Sequence, residues 1–139
     1  MDKRAAEFFA GIGLVRMGLE RAGWKVSFAN DIAPEKLSMY KDNFDDEEFY
    51  LGDIRNIKAD MVPNVTLATA SFPCIDLSLA GNRGGLNGHH SSSYWEFHRI
   101  IKQMHERRPS AIILENVVGL LSSDGGQALR SILLSLGKL

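Results

Sequence analysis

The chain has 139 residues, 45% of them hydrophobic and 24% charged: enough for one domain with a real core, and too ordinary a composition for a disordered, collagenous or disulfide-rich protein. The formal net charge of −1 excludes a global basic field, so any nucleic-acid contact must be local or supplied from elsewhere. A lone cysteine excludes an internal disulfide and fits a reducing compartment, and no apolar run approaches the roughly 20 residues that span a bilayer.

Met1-Asp2-Lys3-Arg4 leads into a strand-like run too short and mixed for a signal peptide. Ala5 to Ala10 reads as strand one and Gly11 to Gly13 as a turn. Leu14 to Ala22 reads as a helix with an apolar face of Leu14, Val15, Met17 and Leu19, stopped by Gly23. Trp24 to Asn30 is strand two. Pro34 opens the next helix at its first position, where a missing N–H costs nothing, and that helix runs to about Asn43. Phe49 to Leu51 is a short strand three, turned by Gly52-Asp53, and Val65 to Ser71 is strand four.

From Pro73 to Ser92 the pattern breaks into a long polar loop with four glycines and His89 and His90. Loops of that length in a compact domain are functional or disordered. Ser93 and Glu96 then read as a capping box for a helix to about Arg107, blocked by Pro109. His98 and His105 fall on its surface, and none of the four histidines has partners at metal-ligand spacing. Ala111 to Leu114 is strand five, and Asp124 starts a last helix through Leu136.

Regular strand–helix alternation predicts an α/β fold: a doubly wound, mainly parallel sheet with right-handed crossovers. The chain stops after a helix, where another strand is expected. That predicts an uncovered sheet edge and a domain incomplete on its carboxyl-terminal side.

Candidate chemistry collects at strand carboxyl ends, where open α/β sheets keep their sites. Gly11-x-Gly13 lets backbone approach a ligand beside helix N–H donors, although it reads equally as a plain βα turn. Asp31, after strand two, suits both ribose hydroxyls of an adenosine, or a helix cap near Pro34. Asp53, after strand three, suits an adenine amino group, or a turn. A dinucleotide fingerprint would need glycine where Arg16 stands, which disfavours a nicotinamide oxidoreductase. Glu7 puts a negative charge near the pocket floor, better suited to a cation than to a pyrophosphate. Cys74 follows strand four, a position for a nucleophile or for a small buried hydrophobe.

The ordered segments Glu7-Phe8-Phe9-Ala10-Gly11-Ile12-Gly13, Asn30-Asp31, Gly52-Asp53, Phe72-Pro73-Cys74 with Asp76-Leu77-Ser78, and Glu115-Asn116-Val117 resemble the amino-terminal half of the DNA (cytosine-5) methyltransferases. The resemblance covers nearly the whole chain from Ala5. It implies a Rossmann-like fold and S-adenosylmethionine as cofactor, held by Glu7, Phe9, Ala10, Gly11, Gly13, Asp31, Ile32, Asp53, Ile54 and Pro73. Within that set Phe9 packs on adenine, Asp31 binds ribose, Asp53 binds the amino group, and Glu7 lies near the methionine amino group. It further implies Cys74 as nucleophile, Glu115 as the carboxyl that meets the target cytosine, and Ser78, Arg83 and Asn116 toward substrate. Asn116 reads alternatively as a residue that orients the loop after strand five. Double-stranded DNA is the implied partner, in a bacterial, cytoplasmic and nucleoid-associated setting of restriction–modification.

The chain departs from the family pattern at Leu14, where a third glycine is frequent, at Ile75, where glutamine is common, and at Ile32, which holds a place for a large side chain. Nothing matches the family's later arginine motif, its target-recognition domain or its carboxyl-terminal segment. A second polypeptide carrying those parts is therefore an expected partner. The competing reading is an inactive S-adenosylmethionine- or DNA-binding fragment. The expectation for the isolated chain, verified intact by mass, is little or no turnover in a DNA methylation assay; robust turnover would remove the need for a partner.

Overall fold

The computed structural model describes residues 2–45, 47–73 and 93–139. Among these residues five strands form one parallel sheet: β1 (Arg4–Phe8), β2 (Lys25–Asp31), β3 (Phe49–Leu51), β4 (Leu67–Ala70) and β5 (Ala111–Leu114). The order is β3-β2-β1-β4-β5. Helices α1 (Leu14–Arg21) and α2 (Pro34–Lys41) cross from β1 to β2 and from β2 to β3, while α3 (Ser93–Gln103) precedes β5 and α4 (Gln127–Leu136) follows it. The chain winds one way from β1 to β3 and the other way through β4 and β5. The sheet therefore has a switch point between β1 and β4, and its carboxyl ends open a crevice there.

The sheet separates two apolar layers. On one face Ala6, Phe8, Ala68 and Ala70 pack with Phe97, Ile100 and Ile101 of α3 and Ile132 of α4. The Phe8 and Phe97 rings meet edge to face at 5.2 Å. On the other face Ala10, Val26, Ala29 and Tyr40 form a smaller core. Alternation along β1 thus sends Phe8 to the first layer and Glu7 to the second, because successive strand residues face opposite sides.

The expected elements are present, with shifted ends. β1 stops at Phe8 because Phe9 turns into the left-handed region at φ 58, which no strand residue adopts. β4 keeps only the core of the apolar run from Val65 to Ser71. α2 ends at Lys41. α3 ends at Gln103, and a 3-10 turn, His105–Arg107, carries the chain on. The last helix begins at Gln127, after a 3-10 turn over Ser123–Gly126. Ser93 is already the first residue of α3, and Glu96 pairs forward with Arg99 at 2.7 Å. His98 is half-buried rather than on the surface, with its Nε2 3.1 Å from the Ser135 carbonyl oxygen on α4.

The clearest correction concerns α1. Leu14 is 66% exposed and Met17 also faces solvent, whereas the buried residue is Arg16. Its guanidinium donates to Glu20 Oε1 (2.6 Å), Tyr40 Oη (2.9 Å) and the Asp45 carbonyl oxygen (3.1 Å), and it lies 4.9 Å from the Phe44 ring centroid. Burial works against the charge, but the Tyr40 and Glu20 hydrogen bonds outweigh it and raise the Arg16 pKa. A buried cation is tolerated when its donors are used this fully.

Among the described residues β5 pairs only with β4. Ile113 on β5 and Val117, Val118, Leu121, Leu133 and Leu134 after it are exposed, an apolar surface at this end of the sheet. No helix among the described residues is long and apolar enough to cross a membrane.

Phe97→Ala removes a fully buried ring. It should cost about 3–5 kcal/mol, read as a lowered urea midpoint at unchanged slope.

Candidate functional site

The carboxyl ends of β1, β2, β3 and β4 frame a cleft of about 360 Å³, and its lining includes Phe9, Asp31, Ile32, Asp53, Ile54 and Pro73. These are six of the ten residues that the resemblance assigns to a cofactor. The others lie beneath it or around it. Ala10 is buried in the smaller core, and its N–H donates to the Asn30 carbonyl oxygen at 2.8 Å. Gly11 and Gly13 shape the turn over the head of α1, at φ 58 and φ 87. A Cβ at Gly13 would meet the Phe44 ring, whereas a Cβ at Gly11 would meet nothing within 4 Å. Gly13 is therefore required by packing, and Gly11 leaves open space beside the turn.

Asp31 ties the first two loops together. It is 4% exposed; Oδ2 accepts from Gly11 N at 2.9 Å and Oδ1 from Ala33 N at 3.1 Å. Lys36 Nζ stands 3.4 Å from Oδ2. The carboxylate serves the start of α2 through Ala33, but it also holds the glycine turn, which the local cap reading does not include. An ionised carboxylate accepts at about four lone-pair sites, so it retains capacity for a further donor.

Asp53 is both a turn residue and a cleft residue. Its Oδ1 accepts from Arg55 N at 2.9 Å, and the Arg55 guanidinium reaches Oδ2 at 2.5 Å. The Arg55 hydrogen bonds hold its pKa below the usual carboxylate value. From behind, Arg99 on α3 donates to the Ile57 carbonyl oxygen at 3.0 Å and bridges back to Ile54. A helix far along the chain thus fixes the loop that carries Asp53 and Ile54.

Glu7 lies below the turn, 2% exposed. Oε1 accepts from Arg16 N at 3.2 Å, near the start of α1, where Gly13 has no side chain to cap the helix. Oε2 is buried with no hydrogen-bond partner among the described residues. Burial pushes the carboxyl up to about 7, against the Arg16 N–H and the Arg16 charge.

Glu115 follows β5, and its N–H donates to the Ala70 carbonyl oxygen at 3.0 Å, which sets it beside the end of β4. Its side chain is exposed. Asn116 Nδ2 donates to the Phe72 carbonyl oxygen at 2.7 Å, and its Oδ1 accepts from Val117 N at 2.9 Å. Its amide therefore ties the segment leading to Pro73, after β4, to the loop after β5. Cys74, Ser78 and Arg83 lie outside the described residues, as do Ile75, Asp76 and Leu77.

Asn30, Lys36, Arg55 and Glu96 also line the cleft, where the sequence suggested no place for them. Asn30 is buried and donates to the Tyr50 and Gly52 carbonyl oxygens at 3.0 and 2.8 Å, which locks the β2 and β3 loops together. Lys36 and Arg55 carry a readable signal, a cation five residues after Asp31 and two residues after Asp53. Asn30 and Glu96 carry none. No group of three or more possible metal ligands occurs among the described residues.

A parallel β3-β2-β1-β4-β5 sheet with a cleft at its carboxyl edge defines a Rossmann-like methyltransferase fold. Two solved structures share it. The S. pombe Dnmt2 methyltransferase aligns with TM-score 0.72 at 24% identity over 94% of this chain and 41% of that one. A Spodoptera frugiperda DNMT2 mutant aligns with TM-score 0.70 at 22% identity, over 95% and 40%.

The chain belongs to the C-5 cytosine-specific DNA methylase family, whose model matches residues 4–139. Type II methyltransferase M.DsaV of Dactylococcopsis salina is 36% identical over 142 aligned residues, covering 100% of this chain and 39% of its own length. Type II methyltransferase M1.ScrFI of Lactococcus lactis subsp. cremoris is 36% identical over 134, covering 96% and 33%. The chain thus spans well under half the length of the relatives it matches.

Because the Glu7 carboxyl titrates higher folded than free, the folded chain binds more protons between about pH 4.5 and 7. Its contribution to stability is fully present below 4.5 and is lost as pH rises through 7. Urea denaturation across that range should show the decline in the native chain and a flatter profile in Glu7→Gln.

Proposed function

We propose that this chain binds S-adenosylmethionine in the cleft and carries the nucleophile and acid for methylation of cytosine C5 in double-stranded DNA. The observation that carries the reading is the cleft at the switch point, walled by Phe9, Asp31, Asp53 and Ile54, in a chain of this family.

The residues present fit that cofactor. Phe9 and the exposed Ile32 offer apolar surface to a purine. Asp31 and Asp53 offer acceptors to ribose hydroxyls and an amino group. Open space beside Gly11 admits ligand atoms, and the unpartnered Glu7 oxygen suits a positive charge. When bound, the cofactor supplies an electrophilic methyl group. Lys36 and Arg55 yield part of their hold on the two carboxylates as the ligand's donors arrive.

In this reading the Cys74 thiolate adds to C6 of a cytosine swung out of the duplex, an extrusion that costs a few kcal/mol. Glu115, carrying its proton, donates to cytosine N3 as the thiolate adds. C5 becomes enamine-like and takes the methyl group. Loss of the C5 proton and expulsion of the thiolate restore the aromatic ring. A glutamate that holds a proton at neutral pH must be desolvated. The exposed Glu115 gains that cover from the base and the DNA that it meets. Asn116, by holding the Phe72 carbonyl, positions the backbone that leads to Cys74. Sequence choice and full turnover rest with parts that the longer relatives carry, and we propose that a second polypeptide or further chain supplies them.

The test is DNA containing 5-fluorocytosine, incubated with S-adenosylmethionine and the complementing half of the enzyme. Native chain should be trapped as a covalent adduct stable to denaturing gels, and Cys74→Ser should not. Cofactor binding without trapping would favour the inactive binding fragment.

A further inference from the structure

The crossover from β3 to β4 contains no α-helix. Between those strands lie only two short 3-10 turns, Ile54–Asn56 and Ala59–Met61. Turns that short satisfy few of their own carbonyl oxygens, and buried ones must find donors elsewhere. Two arginines supply them. Arg99 on α3 sends Nη2 to the Ile57 carbonyl oxygen at 3.0 Å and to that of Ile54 at 3.4 Å. Arg107, beyond α3, reaches the Ala59 and Val62 carbonyl oxygens at 2.8 and 2.9 Å. Both side chains peg the same crossover, but only the first peg stands at the cleft, whose lining includes Asp53, Ile54 and Arg55.

The first peg is itself held. Arg99 Nε donates to Glu96 Oε2 at 2.7 Å, and Nη1 donates to Gln103 Oε1 at 3.0 Å. Its own helix thus grips the guanidinium from one turn on either side, and a planar fork so gripped defines a direction. The turn it holds is tightly joined to Asp53. Asp53 Oδ1 accepts from Arg55 N, and Asn56 N donates to the Asp53 carbonyl oxygen, both at 2.9 Å. A shift of the Ile54 and Ile57 carbonyls therefore carries Asp53 with it. The Arg55 hydrogen bonds hold the Asp53 carboxyl below its usual pKa, so at neutral pH it is ionised and can only accept. It suits a base edge that presents N–H donors and rejects one that presents an oxygen there.

We propose that Arg99, oriented by Glu96, is the positioning residue that sets the base preference of the cleft: it fixes the turn Ile54–Asn56 so that Asp53 meets an amino-bearing purine and turns away an oxo-purine. The inference rests on the reading of the cleft as an S-adenosylmethionine site and adds to it the source of selectivity at the adenine end. Arg99 acts through two backbone carbonyls and not on the ligand.

The experiment measures, by calorimetry on the full chain, the binding of S-adenosylhomocysteine and of S-inosylhomocysteine, in which an oxo group replaces the purine amino group. Native chain should favour the adenosyl ligand by about 30-fold. Arg99→Lys keeps the charge but loses the fork, and should lower that ratio to about threefold, chiefly by weakening the adenosyl ligand. Arg107→Met removes the other peg; it should lower the urea midpoint and leave the ratio unchanged. Arg99→Lys added to Asp53→Asn should lower the ratio no further than Asp53→Asn alone, because both act on one contact. A ratio unchanged in Arg99→Lys, whether the two ligands bind as before or weaken alike, would overturn the inference and leave the cofactor site standing. So would a ratio lowered equally by Arg107→Met, or equal binding of the two ligands by native chain. No binding of either ligand to native chain would overturn both. Amide hydrogen exchange in the free chain gives a check that needs no ligand. Arg99→Lys should speed exchange at Arg55, Asn56 and Ile57 about tenfold and spare Met61 and Val62; exchange unchanged at the first three amides refutes the peg.

Discussion

The backbone N–H of Gly11, donated to the buried carboxylate of Asp31, is the contact on which the geometry of the cleft depends. Backbone pairing carries the turn after β1 as far as the Ala10 N–H bond to the Asn30 carbonyl, and beyond it the side chain of Asp31 takes over. A buried carboxylate must find donors, and here the nearest are the N–H groups of two loops. The same bond that satisfies Asp31 therefore sets the mouth of the cleft. Asn30 does the equivalent one residue earlier, spending its amide on the β3 turn.

Parallel sheets leave every strand's carboxyl end on one edge, and those ends are joined only through loops. This chain answers with polar clamps of long sequence separation. Arg99 reaches back to the loop around Ile57, and Asn116 to the Phe72 carbonyl. Each clamp satisfies a buried backbone carbonyl while it sets the direction of a segment that carries a candidate site residue. The cleft is thus shaped by hydrogen bonds, and the apolar core below it supplies the rigidity.

A strained residue and unmet polar groups occur at the same edge. Phe9 sits at φ 58, a conformation that costs a non-glycine residue of order 1–2 kcal/mol. Glu7 and Thr69 keep unpaired buried oxygens below it. Away from that edge Glu48 Oε2 and Arg108 Nε are also buried without a hydrogen-bond partner among the described residues, and His105 also has a positive φ, 50.

The alternation of strands and helices, the parallel sheet, the glycine turn and the three acidic positions at strand ends were all legible in the order of residues. Apolar periodicity and turn chemistry act over a few neighbours, so a linear string carries them. The face of α1 was not legible. Its pattern pointed Leu14 and Met17 inward, yet Arg16 is buried because Tyr40, 24 residues away, and Asp45, 29 residues away, offer it partners. Nor was the double duty of Asp31, the tie from Asn116 to Phe72, or the opposition of Glu7 and Thr69 across β1 and β4. Those are relations between segments that become neighbours only when the sheet forms. The amino acids by themselves determined which groups were available for chemistry, and the tertiary structure decided which of them meet, because hydrogen bonds and burial depend on distance in space and not on distance along the chain.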